Sequence, residues 1–296
     1  MTQNKLIHCW TALTCEPWLI VPEVHAKLQE IVAAHMAGGE IEKAQHQLAA
    51  GMDAKPVNRG FEVVDRVAII PIEGIIGRKF SNMLQDSGVV SIDIADRLLK
   101  VAADDDEVDA ILMVFDSPGG QAQGVPEVSA TIRRINETQK PVLAFADGML
   151  GSAAYWMASQ ASGITAIQSA DIGSIGVYMA VLDRSRQFAM NGVETDVIKN
   201  AGATYKGMGL PGTSLTPEQR ELLQERVNKM GEQFKEVVRQ GRPKPIADDV
   251  LKGQSFASSD ALRVGLIDQV GTFETALSDA VSYGRMKKSK SKEKVK

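Results

Sequence analysis

Ala110-Ile-Leu-Met-Val-Phe-Asp-Ser-Pro-Gly-Gly120 sets six apolar residues in a row before an acid, a proline and paired glycines. A short apolar run closed by turn residues reads as a strand buried on both faces, the kind found in parallel sheets. Val67-Ala-Ile-Ile-Pro-Ile72 upstream and Pro141-Val-Leu-Ala-Phe145 downstream are runs of the same kind. Ile92 to Val101 lies between the first two with helical spacing, and Gly124 to Ile135 follows the central one with another helical stretch. Strands alternating with amphipathic helices predict an α/β fold with a parallel sheet and helical crossovers. Further on, Thr216 to Arg239 is a long helix. Thr216 stands as its N-cap, Pro217 in its first position and Gln219 in its third, which is the pattern of a capping box.

The chain divides into three parts. Residues 1–58 are a helical extension, with helices predicted at Val24–His35 and Ile41–Ala50 on either side of the Gly38-Gly39 break. Residues 59–284 form the α/β domain. Residues 285–296 hold seven basic residues and one acid, a charge of +6, which leaves −10 of the net −4 on the rest of the 296-residue chain. The Lys/Ser tail reads as disordered and solvated, and the acidic body speaks against a nucleic-acid enzyme. No run approaches the roughly 18 apolar residues of a membrane span, and the N-terminus lacks the order of a secretory signal. A cytoplasmic, soluble protein is the expectation. Cys9 and Cys15 form no C-x-x-C or metal-type spacing, so neither a disulfide nor a metal site is expected.

Histidine is the usual base for a nucleophilic serine. Here all four histidines (His8, His25, His35 and His46) precede the α/β domain. A catalytic core built from residues 59–284 would therefore turn to lysine. Three stretches within it can do chemistry. Asp116-Ser-Pro-Gly-Gly120 can turn sharply and offer backbone N–H groups to an anion, although by itself it is also an ordinary strand-to-helix turn. Gly148-Met-Leu-Gly-Ser-Ala-Ala-Tyr155 sets Ser152 among small residues at a helix start, where a plain N-cap serine would look the same. Gly173-Ser-Ile-Gly176 is followed some thirty residues later by Gly202-Ala-Thr-Tyr-Lys-Gly207.

In order and spacing, Asp116–Gly120, Gly151-Ser-Ala-Ala-Tyr155, Gly173-Ser-Ile-Gly-Val177 and Tyr205-Lys206 resemble the signature of the SppA-type Ser–Lys peptidases, over roughly residues 61–275. Within that family the chain is most similar to the phage head-maturation (prohead) proteases, whose N-terminal lead-in Glu16-Pro-Trp-Leu-Ile-Val-Pro22 also resembles. The resemblance implies a ClpP/crotonase-like spiral of β-β-α units. It implies Ser152 as nucleophile, Lys206 as general base and Ser174 as the hydroxyl that orients the lysine. An oxyanion hole from Gly119, Gly120 and the N–H of Ala153 is implied too, with no cofactor and a homo-oligomeric assembly acting on capsid or scaffold proteins. Lys199 competes for the base, although Lys206 fits the glycine-aromatic-lysine pattern better.

A lysine base must be neutral to take a proton, while a free lysine titrates near about 10.4. Burial among apolar groups and hydroxyls, away from carboxylates, favours the neutral form. Asp116 is accordingly expected to hold backbone rather than pair with the lysine. Three other readings remain: a cytoplasmic SppA-like peptidase, a crotonase-like acyl-CoA enzyme on the same kind of fold, and a catalytically silent scaffold component. The acyl-CoA reading wants paired glutamates near the site, and Glu127 is the one candidate.

Overall fold

The computed structural model describes residues 16–36, 60–78 and 89–293. The predicted helix at 41–50, Cys9, Cys15, His8 and His46 lie outside them.

Three of the predicted apolar runs are neighbours in one sheet. Val67–Glu73 (β3), Ala110–Ser117 (β6) and Val142–Gly151 (β8) pair in parallel, with Val67 opposite Ala110 and Ile111 opposite Val142. Glu62–Val64 (β2) closes one side of this sheet antiparallel to β3. On the other side Asp171–Gly173 (β10) runs parallel to β8, and Ser255–Ala257 (β11) antiparallel to β10. Ile164–Ala166 (β9) pairs with β8 and with Gln269–Val270 (β12), completing eight strands.

Strand β6 shows why its sequence is so apolar. Ile111, Met113 and Phe115 face a large core shared with helices α2 (Ile92–Asp104), α3 (Val125–Thr138) and α4 (Ala153–Ala158). Ala110, Leu112 and Val114 face the opposite way, against Ala276 and Ala280 of helix α8 (Phe273–Glu293). With helices on both faces, neither set of side chains can be polar. The alternation of strand and helix read from the sequence is thus the architecture observed, a mixed α/β fold with parallel strands.

A second, smaller sheet stands at the C-terminal ends of these strands. Its order is Trp18–Ile20 (β1), Gly119–Gln121 (β7), Ile75–Gly77 (β4) and Val89–Ser91 (β5). Strand β1 comes from the extension and leads directly into helix α1 (Pro22–Met36). The N-terminal segment is therefore integrated into the α/β fold through Trp18–Ile20, rather than simply appended to it.

Helix α6 (Pro217–Gly241) starts with both halves of the expected capping box. Gln219 N–H donates to Thr216 Oγ1, and Thr216 N–H donates to Gln219 Oε1. Trp156 of α4 stacks on Phe234 of α6 at 4.6 Å, which docks the long helix on the core. Helices α5 (Ser185–Met190) and α7 (Ser258–Arg263) are short connectors.

The basic tail departs from the sequence expectation. Residues 285–293 continue helix α8 instead of being disordered. Lys287 Nζ donates to the Asn136 carbonyl at 2.6 Å, and Lys288 pairs with Asp109 at 3.0 Å, so part of the positive charge is answered within the fold. Arg66 shares Asp109, and this hydrogen bond holds the Asp109 carboxyl at about 2.

Candidate active site

Strand β8 ends at Gly151, and the chain turns into α4 at Ser152. Ser152 takes φ 50° and ψ −110°, a region that costs a non-glycine residue about 1–3 kcal/mol. The turn is over-determined by its surroundings: Ser152 N–H donates to the Gly173 carbonyl at 2.7 Å, and Trp156 N–H to the Ser152 carbonyl at 2.9 Å. Alanines 153 and 154 and Tyr155 behind it are wholly buried. The Ser152 hydroxyl is itself buried and has no hydrogen-bond partner among the described residues. A buried hydroxyl without a partner is costly and rare.

Ser174 arrives beside it through sheet register. Gly173 pairs with Gly151 in the β8–β10 ladder, so the residues that follow, Ser174 and Ser152, stand next to one another where both strands end. Ser174 is also buried with positive φ (52°), and its N–H donates to the Gln254 carbonyl.

The glycine strand β7 lies across the same turn. Gly119 has φ +94°, and a Cβ there would stand 2.1 Å from the Leu19 carbonyl oxygen and 2.9 Å from the Ala153 nitrogen. A Cβ on Gly120 would fall 1.9 Å from the Ile76 oxygen. Both positions therefore exclude any side chain, and Gly119 and Ala153 meet beside Ser152. The two glycines are not equivalent as donors. Gly119 N–H is engaged by Ser117 Oγ at 3.2 Å, and that hydroxyl donates in turn to the Gly74 carbonyl at 2.6 Å. The buried Ser117 is a supporting residue that the sequence reading passed over. Its only signal was its place inside Asp-Ser-Pro-Gly-Gly.

Asp116 holds backbone, as expected: its Oδ1 accepts from Met149 N–H at 2.9 Å near the end of β8. The β6–β8 ladder shifts register between Phe115 and Ser117, a local irregularity of the sort that re-aims residues beside a site. Glu73 and Asp147 crowd the same strand ends. Burial, and then the neighbouring Asp116, raise both carboxyls above their usual range.

The single chain does not bring the lysine to the serine. Lys206 is exposed, in an irregular stretch between α5 and α6, and Ser152 Oγ has no hydrogen-bond partner among the described residues. Lys199 is exposed as well, and its Nζ donates to the Thr204 carbonyl at 3.2 Å. Gln219 Nε2 of α6 holds that same carbonyl at 2.9 Å, which anchors the chain two residues before Lys206. His25 is buried, and its described partners include Tyr178 and Trp18. Its Nδ1 lies 2.7 Å from the Tyr178 hydroxyl, and its ring stacks on Trp18. Glu127 is exposed in the first turn of α3.

Parallel strands, helices on both faces and a strained buried serine at a strand-to-helix turn under a glycine-rich strand define a ClpP-like hydrolase class of fold. Residues 134–285 match peptidase family S49, and the chain belongs to that family. Three relatives illustrate its range. The head-tail preconnector protein GP5 of Enterobacteria phage P21 is 28% identical over 96% of this chain and 60% of its own length. The capsid assembly protease C of Escherichia phage lambda is 30% identical over 72% of this chain and 48% of its own. Protease 4 of Haemophilus influenzae is 27% identical over 74% and 35%. The chain thus spans three fifths or less of the length of these relatives. Among the described residues no helix is long and apolar enough to cross a membrane.

Proposed function

We propose that the protein is a serine endopeptidase that processes capsid or scaffold proteins during phage head maturation, with Ser152 as nucleophile and Lys206 as general base. The observation that carries the reading is the Ser152 hydroxyl, buried, unpartnered and held at a strained turn inside the stretch that matches family S49. The phage assignment draws on the head-tail preconnector protein, which aligns with almost the whole chain, and on the capsid assembly protease. The match to Protease 4 keeps a general SppA-like peptidase as the second reading. Membership of family S49 tells against acyl-CoA chemistry.

In the proposed reaction Ser152 Oγ attacks the peptide carbonyl carbon as its proton passes to Lys206 Nζ. The Ala153 N–H and a glycine N–H of β7 donate hydrogen bonds to the carbonyl oxygen as its negative charge develops. The C–N bond then breaks as the lysine protonates the departing amine; water attacks the acyl carbon and gives a proton to the lysine, and the acyl C–Oγ bond breaks as that proton returns to Ser152. Ser174, beside Ser152, orients the amine.

A lysine base works only where water is excluded, yet Lys206 stands in an uncovered stretch. The apolar side chains around it are uncovered too: Met190 is 88% exposed and Ile198 93%, with Leu182, Val193, Tyr205 and Leu210 also exposed. Such a surface supports the reading of a protomer interface here. A homo-oligomer that covers residues 181–210 would bury the lysine and deliver it to a serine. The domain reading is a peptidase domain at 59–284, with β1 of the extension paired to it.

The test is active-site labelling. A fluorophosphonate should modify the protein at Ser152, and Ser152→Ala should lose both labelling and peptide hydrolysis. Because Ser152 Oγ makes no hydrogen bond among the described residues, this variant should unfold within about 1 kcal/mol of the parent. Undiminished hydrolysis by the folded variant would remove Ser152 from the mechanism.

A further inference from the structure

Peptidases commonly bind an extended substrate by adding it as a strand to an edge of the cleft. Strand β7 is the strand beside Ser152, and neither of its sides is free. Ile76 of β4 pairs with Gly120 on one side. On the other lies β1, antiparallel, with Trp18 opposite Gln121, Leu19 opposite Gly120 and Ile20 opposite Gly119. The pairing continues beyond the strand at both ends. Val21 N–H donates to the Pro118 carbonyl at 3.0 Å, and Ala122 N–H to the Pro17 carbonyl at 3.3 Å.

The far side of β1 is also engaged. Trp18 N–H donates to the Tyr178 carbonyl at 2.9 Å, and Tyr178 N–H to the Trp18 carbonyl at 3.2 Å. Trp18–Ile20 is thus a central strand held between the glycine strand and the segment that follows Ser174. Its side chains alternate as a bound peptide's would. Leu19 enters the main core at the site, while Trp18 and Ile20 pack on Leu28 and Val32 of α1. The Leu19 carbonyl oxygen and the Ala153 nitrogen both lie within 3 Å of the point where a Gly119 Cβ would stand. The Leu19 carbonyl therefore points into the corner where the anion of a substrate carbonyl is to be stabilised.

We propose that Trp18–Ile20 is a tethered occupant of the peptide groove at Ser152, which a substrate strand carrying an aliphatic side chain in the place of Leu19 must displace. The inference rests on the peptidase reading of Ser152 and adds its regulation and its preference. Tethering gives such a strand a high effective concentration, so the apparent affinity for an outside peptide falls in proportion to the fraction of time the groove is occupied. Helix α1 begins at Pro22, directly after the strand, and its packing through Leu28 and Val32 sets how readily the strand leaves.

The mutual hydrogen bonds of Trp18 and Tyr178 make them a hydrogen-bonded antiparallel pair, whose Cα atoms stand about 5.5 Å apart, within disulfide reach. Trp18→Cys with Tyr178→Cys, in the full chain with Cys9 and Cys15 replaced by serine, locks the strand on oxidation. The readout is hydrolysis of an internally quenched peptide with a central leucine. The oxidised protein should work at less than a tenth of the reduced rate and recover fully with dithiothreitol. Independently of redox chemistry, Leu19→Gly weakens the occupant and should lower KM at least fivefold with kcat kept. Equal rates for the oxidised and reduced proteins, or an unchanged KM in Leu19→Gly, would overturn the proposal. Ser152→Ala in the same reduced background separates the two readings. Hydrolysis that survives it removes Ser152 from the mechanism, and with it the reading on which the occupancy rests. Hydrolysis that it abolishes, beside a locked protein still fully active, defeats only the occupancy.

Discussion

Gly119→Ala puts one methyl group at the junction of β1, β7 and Ser152. Two costs add. At φ +94° an alanine pays about 1–2 kcal/mol that glycine does not. Its Cβ would stand 2.1 Å from the Leu19 oxygen and 2.9 Å from the Ala153 nitrogen, both backbone atoms that cannot rotate away. Relief requires β1 or the Ser152 turn to move, an overpacking cost of about 1–3 kcal/mol. The total, about 2–5 kcal/mol, corresponds to a Tm lower by roughly 4–20 °C for a domain of this size. The methyl also fills the corner where the carbonyl oxygen of a substrate must sit, and blocking that oxygen from its oxyanion donors should cost about as much as losing one of them, about 100-fold to 1,000-fold in kcat. Gly124→Ala is the control. Its φ is nearly the same (+92°), but its Cβ would meet only side chains, the nearest being Ile92 Cγ2 at 3.2 Å. Thermal unfolding followed by circular dichroism, with kinetics on a quenched peptide, should show both variants destabilised and only Gly119→Ala inactive. A Gly119→Ala protein with kcat within threefold of the parent would refute the placement of the oxyanion site at β7.

Lys206→Ala should abolish turnover while Lys199→Ala keeps at least a third of it in the same peptide assay; the reverse result would transfer the base to Lys199. Ser117→Ala strips two buried backbone groups, the Gly74 carbonyl and the Gly119 N–H, of their hydroxyl partner, and chemical denaturation should report a loss of about 2–4 kcal/mol. The Asp109 carboxyl is held at about 2 by Arg66, so its contribution is present above pH about 4 and is lost as pH falls toward 2. Asp109→Asn should therefore flatten the acid limb of the stability profile between those values, measured by Tm against pH. An unchanged limb would show that the pair with Arg66 and Lys288 contributes nothing.

Much of the fold is written in periodicity. The apolar runs at 67–72, 110–115 and 141–145 became the central parallel strands because only a sheet covered on both faces buries such runs completely. Thr216, Pro217 and Gln219 marked the start of α6 by themselves, since a capping box closes within four residues of one another. Ser152 could be singled out for the same reason, because the small residues that permit its turn are its chain neighbours. What the chain could not announce is every contact closed by distant partners. Trp18–Ile20 is three residues long, too short for any period, and it becomes a strand only where Gly119–Gln121 and Tyr178 provide two edges. Ser174 reaches Ser152 through the register of β8 and β10, which no local pattern specifies. The tail's lysines read as a solvated charge run, yet the Asn136 carbonyl and Asp109 stand more than 150 positions away in sequence and beside them in space, and helix α8 continues. Lys206 shows the same division from the other side. Its motif is local and legible, but whether a lysine is covered, and by what, is a property of packing, and in the single chain it is left exposed.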